Sequence, residues 1–474
     1  MSPTPAAHVH PVLFLCTSVL MVHGLRAQTG GSADAHTRVA DRDYQRMAYA
    51  PAAEEYKLAA DLGAVNEHVT KRLADCYMKL GDTEHAEFWY AQVVKFLNRE
   101  PIDLYNYAQA LKGNAKYKEA EEWMDRYLQI TRPEGQSLHS NISDFAKKFT
   151  YGMDRFSVKS VSINSAFSDM AATWDGEQRV IFSSTRGERT GIQRLAAWND
   201  QPFLDLYYAD RQPGGDLTMP RPVQGNVNGP MHEGPAVCAA NGSDLWFTRN
   251  SPVRAKNGIT HLDIFRAHRD GAGWSGAEPF ALNNPETSVG HPAISRDGKY
   301  LFFASDMPGG RGGSDLYMCK ALGDGWGEPV NLGPAINTSE NESFPFVGAD
   351  GTLYFASAGL PGLGGLDIFA AQRGGDGKYG VAINVGAPVN GPKDDFAFII
   401  DAAGKSGYFT SNRPGGRGDD DIYAFEMHTP LEQRYMCTGV VIDDETGQPL
   451  IDVEVALEDT KGVTLESKQT DVNG

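Results

Sequence analysis

Positive charge is in short supply in this sequence: 43 lysines and arginines face 61 aspartates and glutamates, for a formal net charge of -18. That balance excludes an ordinary nucleic-acid binder, because a phosphate backbone selects for basic surfaces. It suits instead an acidic surface that stays soluble and avoids anionic ones. Cysteine is equally sparse. Cys16, Cys76, Cys238, Cys319 and Cys437 include no CxxC spacing, so neither a zinc site nor a dense disulfide framework is indicated. No HExxH, GxSxG or GxxxxGK[ST] pattern occurs. On these absences no catalytic residue, cofactor site or metal site is assigned, and the chain is expected not to be an enzyme. Beyond the first thirty residues no apolar run reaches the ~18 residues of a spanning helix.

What is present divides into segments, as 474 residues should, since that length exceeds one hydrophobic core. "PVLFLCTSVLMV" (Pro11 to Val22), followed by small Ala27, reads as a secretory signal over residues 1–27. Bulky Leu15 argues against lipid attachment at Cys16.

Residues 37–150 have helical period and little glycine. "LADCYMKLGDTEHAEFWYAQVV" from Leu73 realigns on "YAQALKGNAKYKEAEEWMDRYL" from Tyr107, which puts Ala86 over Ala120 and Trp89 over Trp123 at an offset of 34. The same step backwards reaches Ala52. A 34-residue period is that of tetratricopeptide repeats, so an α-helical solenoid is expected.

Residues 156–428 are instead short apolar and aromatic runs between Gly, Asn, Asp and Pro, a β signature. Asp205-Leu-Tyr, Asp263-Ile-Phe, Asp315-Leu-Tyr, Asp367-Ile-Phe and Asp421-Ile-Tyr recur at separations of 58, 52, 52 and 54. Upstream of each unit's apolar strand stands an asparagine followed five positions later, in four cases, by an acid. These pairs are Asn164 with Asp169, Asn228 with Glu233, Asn337 with Glu342 and Asn390 with Asp395, whereas Asn284 has Val289. A period near fifty is that of a propeller blade, so five blades are expected, with six as the alternative. The five aspartates are assigned a structural duty: a carboxylate opening a strand accepts N–H groups from the glycine-rich loop before it. "MPGGRGGSD" is not a phosphate cradle, because it lacks a lysine and leads into a strand. His232 and His291 occupy equivalent places and are read as solvated or turn-forming. Asp419-Asp420-Asp421 is read as an exposed acidic turn, not a calcium site.

"SRDGKYLFFASDMPGGRGGSDLYMCK" resembles the WD40-like repeat of TolB-type periplasmic propellers. "CTGVVIDDETGQPLIDVEVALEDTKGVTLESKQTDVNG" resembles the carboxypeptidase regulatory-like domain, so residues 435–474 are expected to begin a transthyretin-like β-sandwich, truncated at Gly474. The order of the three segments resembles OmpA-family outer-membrane-associated proteins of the Bacteroidota, including the PorE-like component of type IX secretion and gliding. The resemblance implies a periplasmic scaffold, peripheral to the outer membrane, that binds other envelope proteins through its helical and propeller surfaces. It implies peptidoglycan binding only through a C-terminal domain that these residues do not include. The competing readings are a propeller that senses a ligand through its central channel and, less favoured, a propeller-associated hydrolase.

Overall fold

The structure is a computed structural model that describes residues 31–131, 141–150, 154–187, 195–323, 325–431, 439–458 and 462–471. The expected signal segment, Cys16 and Cys437 lie outside the described residues.

Helices come first: α1 (Ala33–Gln45), α2 (Tyr49–Asp61), α3 (Glu67–Lys79), α4 (Thr83–Val93), α5 (Pro101–Gly113), α6 (Tyr117–Thr131) and α7 (Ile142–Thr150). The starts of α1, α3 and α5 step by 34 residues, and so do those of α2, α4 and α6. Local chemistry sets these starts. Ser32, Asn66 and Asp82 cap α1, α3 and α4 by accepting a backbone N–H, and a Glu100/Asp103 capping box with Pro101 opens α5. The packing repeats with the same step. Ala40, Ala74 and Ala108 are buried, as are Ala52, Ala86 and Ala120, because only a small side chain lets paired helices approach so closely. Buried Tyr56 donates to Asp41 at 2.6 Å, and 34 residues on Tyr90 donates to Asp75 at 2.5 Å.

The β region forms five sheets of at least four strands, antiparallel and in chain order. Blade 1 is β2 (Asp169–Trp174), β3 (Arg179–Ser184), β4 (Asp205–Arg211) and β5 (Leu217–Pro222). Blade 2 holds β6 (Glu233–Cys238), β7 (Asp244–Asn250), β8 (Leu262–Asp270), β9 (Gly273–Trp274) and β10 (Glu278–Pro279). Blade 3 holds β11 (Val289–Ile294), β12 (Tyr300–Ser305), β13 (Asp315–Leu322), β14 (Gly325–Trp326) and β15 (Val330–Asn331). Blade 4 is β16 (Glu342–Val347), β17 (Leu353–Ser357), β18 (Asp367–Ala371) and β19 (Ile383–Asn384). Blade 5 draws β20 (Asp395–Ile400), β21 (Ser406–Ser411) and β22 (Asp421–Met427) from the end of the region, and its outer strand β1 (Phe156–Ser160) from the beginning. The pairing of Phe156 with Met427 through Ser160 with Tyr423 therefore closes the ring. The six-blade alternative is corrected to five: sequence flanking the repeats completes a blade and does not add one.

Buried clusters lie between blades. Phe182 and Tyr207 of blade 1 share one with Tyr408 of blade 5, and Phe302 of blade 3 shares another with Phe355 and Phe369 of blade 4. Each fully buried ring contributes on the order of 2–3 kcal/mol from area alone. Gly298, Gly351 and Gly242, in the tight turns before three of the apolar strands, have φ of +69°, +86° and +70°.

One asparagine per blade ties the chain leaving a blade to that blade's third strand. Asn164, Asn228, Asn337 and Asn390 each accept the N–H and donate to the carbonyl of Ile422, Leu206, Leu316 and Ile368, at 2.8–3.0 Å. In blade 2 the clasp on Ile264 is made by Asn283, at 3.0 and 2.8 Å, and not by Asn284. Residue-by-residue spacing pointed to the wrong member of the Asn-Asn pair, because this unit has one residue more between the clasp and the next strand. Asn284 instead caps a turn by accepting the Glu286 N–H. Beyond the propeller, β23 (Glu454–Glu458) and β24 (Thr464–Gln469) form an exposed two-stranded hairpin, and no larger sandwich occurs among the described residues.

The clasp predicts that Asn283→Ala lowers unfolding free energy by about 1–3 kcal/mol, because it leaves the buried Ile264 N–H without a partner and its carbonyl with the Phe280 N–H alone. Asn284→Ala should stay within about 0.5 kcal/mol. Urea denaturation of both variants checks this; equal losses would contradict the assignment.

Candidate binding site

The recurring aspartates sit where the third strand of each blade begins. Asp315 accepts N–H groups from Arg311 at 2.7 Å and Gly312 at 3.1 Å, and a third bond from Asn331 at 2.6 Å. Asp367 accepts from Leu363 and Gly364, and Asp421 from Arg417 and Gly418. The loop needs glycine for close approach: a Cβ on Gly362 would lie 1.7 Å from the Asp367 carboxylate, and one on Gly364 would lie 2.2 Å from the Lys393 carbonyl. Asp263 is buried at the second position of β8, and Asp205 is half-buried opposite Ser184. All five stand at strand starts on one face of the propeller, spread over five blades, and do not converge on a common point.

The acids that follow the asparagines open the innermost strands. Asp169 pairs with Arg186, Glu233 with Arg249 at 3.0 Å and Asp395 with Arg413 at 2.6 Å, each arginine coming from the end of the adjacent strand. Glu342 accepts instead from Thr338 and Ser357. These four carboxylates are buried and committed to holding the blades. Asp421 of the acidic triplet is buried too, so the reading of Asp419-Asp420-Asp421 as an exposed turn holds for Asp419 and fails for Asp421. Burial and neighbouring carboxylates push Asp420 up to about 7. No group of three or more metal-ligating side chains in holding geometry occurs among the described residues.

His232 and His291 are half-buried and hydrogen-bonded, not free in solvent. His232 Nδ1 accepts the Leu204 N–H at 3.1 Å, and His291 Nδ1 accepts the Phe344 N–H at 3.4 Å, each across a blade boundary. Burial lowers both imidazoles to about 4. His291 stacks on Phe344 at 4.1 Å, and Phe344 lies 4.6 Å from Phe396. This stack, with Pro235 and Ala171 from the other blades, leaves about 40 Å³ at the propeller axis. That space is one or two waters' worth, so the channel does not offer a solute site.

The helical layer lies against the face that carries the glycine-rich loops. Tyr49 packs on Trp198 at 4.7 Å, Lys393 donates to Thr83 at 2.5 Å, and Ala387 donates its N–H to the Phe149 carbonyl. Lys112 of α5 is buried at the junction, in the field of the Asp367, Asp394 and Glu340 carboxylates. Burial pulls Lys112 below its ordinary value and pushes Asp367 up to about 7, while the charge of each partner acts the other way.

Beside this junction α3, α5 and the propeller enclose a groove of about 240 Å³. Asp75, Lys79, Asn106 and Gln109 line its helical side and Glu340 and Lys393 its propeller side; Tyr105 donates across it to Glu340 at 3.2 Å. It combines aromatic surface with both signs of charge and lies between two domains, where ligand sites concentrate. Sequence reading missed it because its walls are about 235 residues apart along the chain.

No protein-family model matches the chain, and no curated protein matches it. Among solved structures it is similar to a putative TolB from Agrobacterium tumefaciens, at 15% identity over 67% of this chain and 91% of that one, with a TM-score of 0.33. It is also similar to a gluconolactonase from Xanthomonas campestris, at 15% identity over 57% and 89%, with a TM-score of 0.33. A third is an α-L-arabinofuranosidase from Lactobacillus brevis, at 12% identity over 61% and 95%, with a TM-score of 0.35. The expectation that the chain is not an enzyme is corrected on this point. Two of these three structures are of enzymes, and the expectation that the chain is not one is withdrawn.

Two predictions follow the geometry. Lys112→Ala should loosen the junction by about 1–3 kcal/mol, because it empties the space of a buried side chain between helix and propeller; a separate, earlier loss of helical circular dichroism on heating is the readout. An imidazole whose folded pKa lies below its unfolded value near 6.5 stabilises fully above that pH and loses the contribution as pH falls toward about 4. His291→Gln keeps an acceptor without titrating, so its stability relative to wild type should rise as pH falls from 6.5 to 4. Denaturation midpoints that stay parallel across this range would contradict the buried neutral histidine.

Proposed function

We propose that this protein is an envelope scaffold whose tetratricopeptide-type helices and propeller together hold a partner protein. The observation that carries the reading is the groove itself: helices and propeller each supply one wall, and the Tyr105–Glu340 and Lys393–Thr83 hydrogen bonds join them. A site whose walls are held at a set spacing captures a segment with little ordering cost on its own side. The mixture of Tyr105, Asp75, Lys79, Glu340 and Lys393 suits an extended polypeptide segment with an aromatic or amide residue and charges of both signs.

The acidic composition and the signal-like N-terminus support work in the periplasm, peripheral to the outer membrane. Domain order supports a part in type IX secretion and gliding, or in linking the outer membrane to peptidoglycan.

The test is site-directed blocking. Asn106→Trp and Gln109→Trp each fill the groove from half-buried positions. In crosslinked envelopes the tagged wild type should recover a defined set of secretion or envelope proteins, and either variant should reduce that recovery about tenfold with thermal unfolding unchanged. Undiminished recovery with both variants would overturn the groove as the docking site.

A further inference from the structure

The gaps between blades are filled from one direction. In four of the five, the turn joining the third and fourth strands of one blade sends an apolar side chain against the blade before it. Leu217 shares a buried cluster with Tyr408, and Trp274 shares one with Ile181. Trp326 packs on Trp246 at 5.9 Å, and Tyr379 packs on Phe302 at 6.0 Å. The four residues met hold one position: each immediately precedes the phenylalanine of its second strand, Phe409, Phe182, Phe247 and Phe303. The fifth residue at this position is Tyr354, before Phe355.

Among the described residues no such turn reaches Tyr354, whose ring stacks on Phe398 of blade 5 at 4.8 Å. Blade 5 takes its outer strand from β1, so among the described residues β22 has no following hairpin partner, and the chain leaves by way of Pro430 and Leu431. In its place lies a cleft of about 400 Å³ between blades 4 and 5, with Tyr354, Ile383, Ile400 and Leu431 on its walls and Asp350 and Asp401 at its rim. The filled gap between blades 1 and 2 shows what fits such a space. Trp274 enters it, its indole N–H donates to Tyr208 at 2.8 Å, and Arg269 stacks 3.8 Å over the indole. The Arg269 guanidinium also pairs at 2.5 Å with Asp175, in the Asp-Gly turn of blade 1. Asp350-Gly351 is the corresponding turn of blade 4, where Asp350 accepts from Thr352. No lysine or arginine is among the described residues lining the cleft.

From this internal comparison we infer that the cleft between blades 4 and 5 is a second docking site, built to take an aromatic side chain and a nearby arginine from a hairpin tip of a partner protein. Apolar walls and the Tyr354 ring receive the aromatic residue, and Asp350 receives the arginine as Asp175 receives Arg269. The site lies at the Asp-Gly turns, at the opposite end of the strands from the glycine-rich loops that meet the helices. It therefore goes beyond the groove reading, and either can fail alone.

The probe is a fluorescein-labelled peptide with the sequence of residues 266–276, RAHRDGAGWSG, titrated with the full chain and followed by anisotropy. Saturable binding is expected, weakened about tenfold when the peptide tryptophan is alanine. Asp350→Asn should weaken it about threefold and flatten its salt dependence. Ala403→Trp and Val381→Trp fill the cleft from opposite, exposed positions and should abolish binding without moving the thermal midpoint. The groove variants Asn106→Trp and Gln109→Trp should leave it unchanged. Binding that survives both cleft-filling variants overturns the inference, and so does absence of binding to the wild type. Arg434-Tyr435 follows Leu431 by three residues in sequence. Binding seen only in an Arg434→Ala/Tyr435→Ala variant would overturn a partner in favour of the chain itself as occupant.

Discussion

The structure depends on a clasp of two hydrogen bonds between an asparagine side chain and the N–H and carbonyl of one residue of a third strand. It occurs five times, on Ile422, Leu206, Ile264, Leu316 and Ile368. Each instance fixes where the chain turns from one blade to the next, in a region too short for a hydrophobic core of its own. The clasp by Asn164 differs in consequence: it joins the first residues of the propeller to the last strand, beside the β1–β22 pairing. Removing it weakens the closure of the ring; removing any other loosens a joint.

Ring closure by an N-terminal strand has two structural effects. It brings the helical segment, which directly precedes β1, back over the face that carries the glycine-rich loops. There the buried Lys112 lies in the field of carboxylates from blade 4 and its connectors. It also removes from blade 5 the hairpin that every other blade uses to fill a neighbour's gap, which leaves Tyr354 facing a cleft. The groove and the cleft thus arise from one topological fact, on opposite faces of the propeller.

Much of this was legible in the sequence. Asp315, Asp367 and Asp421 marked the starts of their third strands, where each carboxylate collects N–H groups of the glycine-rich loop before it. The 34-residue step of Ala52, Ala86 and Ala120 marked the helix pairs, because close packing admits only small residues there. Spacing alone misassigned Asn284, since a one-residue difference is invisible without hydrogen bonds. It also misjudged His232 and His291, whose burial comes from stacking across blade boundaries. The groove was illegible for a stronger reason: Tyr105 and Glu340 meet only once the propeller has closed.

The central claim is that helices and propeller form one body, so that the walls of the groove keep their spacing. Native-state hydrogen exchange of the full chain tests this most directly. The account predicts that the slowest amides of α5 share an opening free energy with those of β18, to within about 1 kcal/mol, and that both fall together in urea. Free exchange of α5 while β18 remains protected would contradict it.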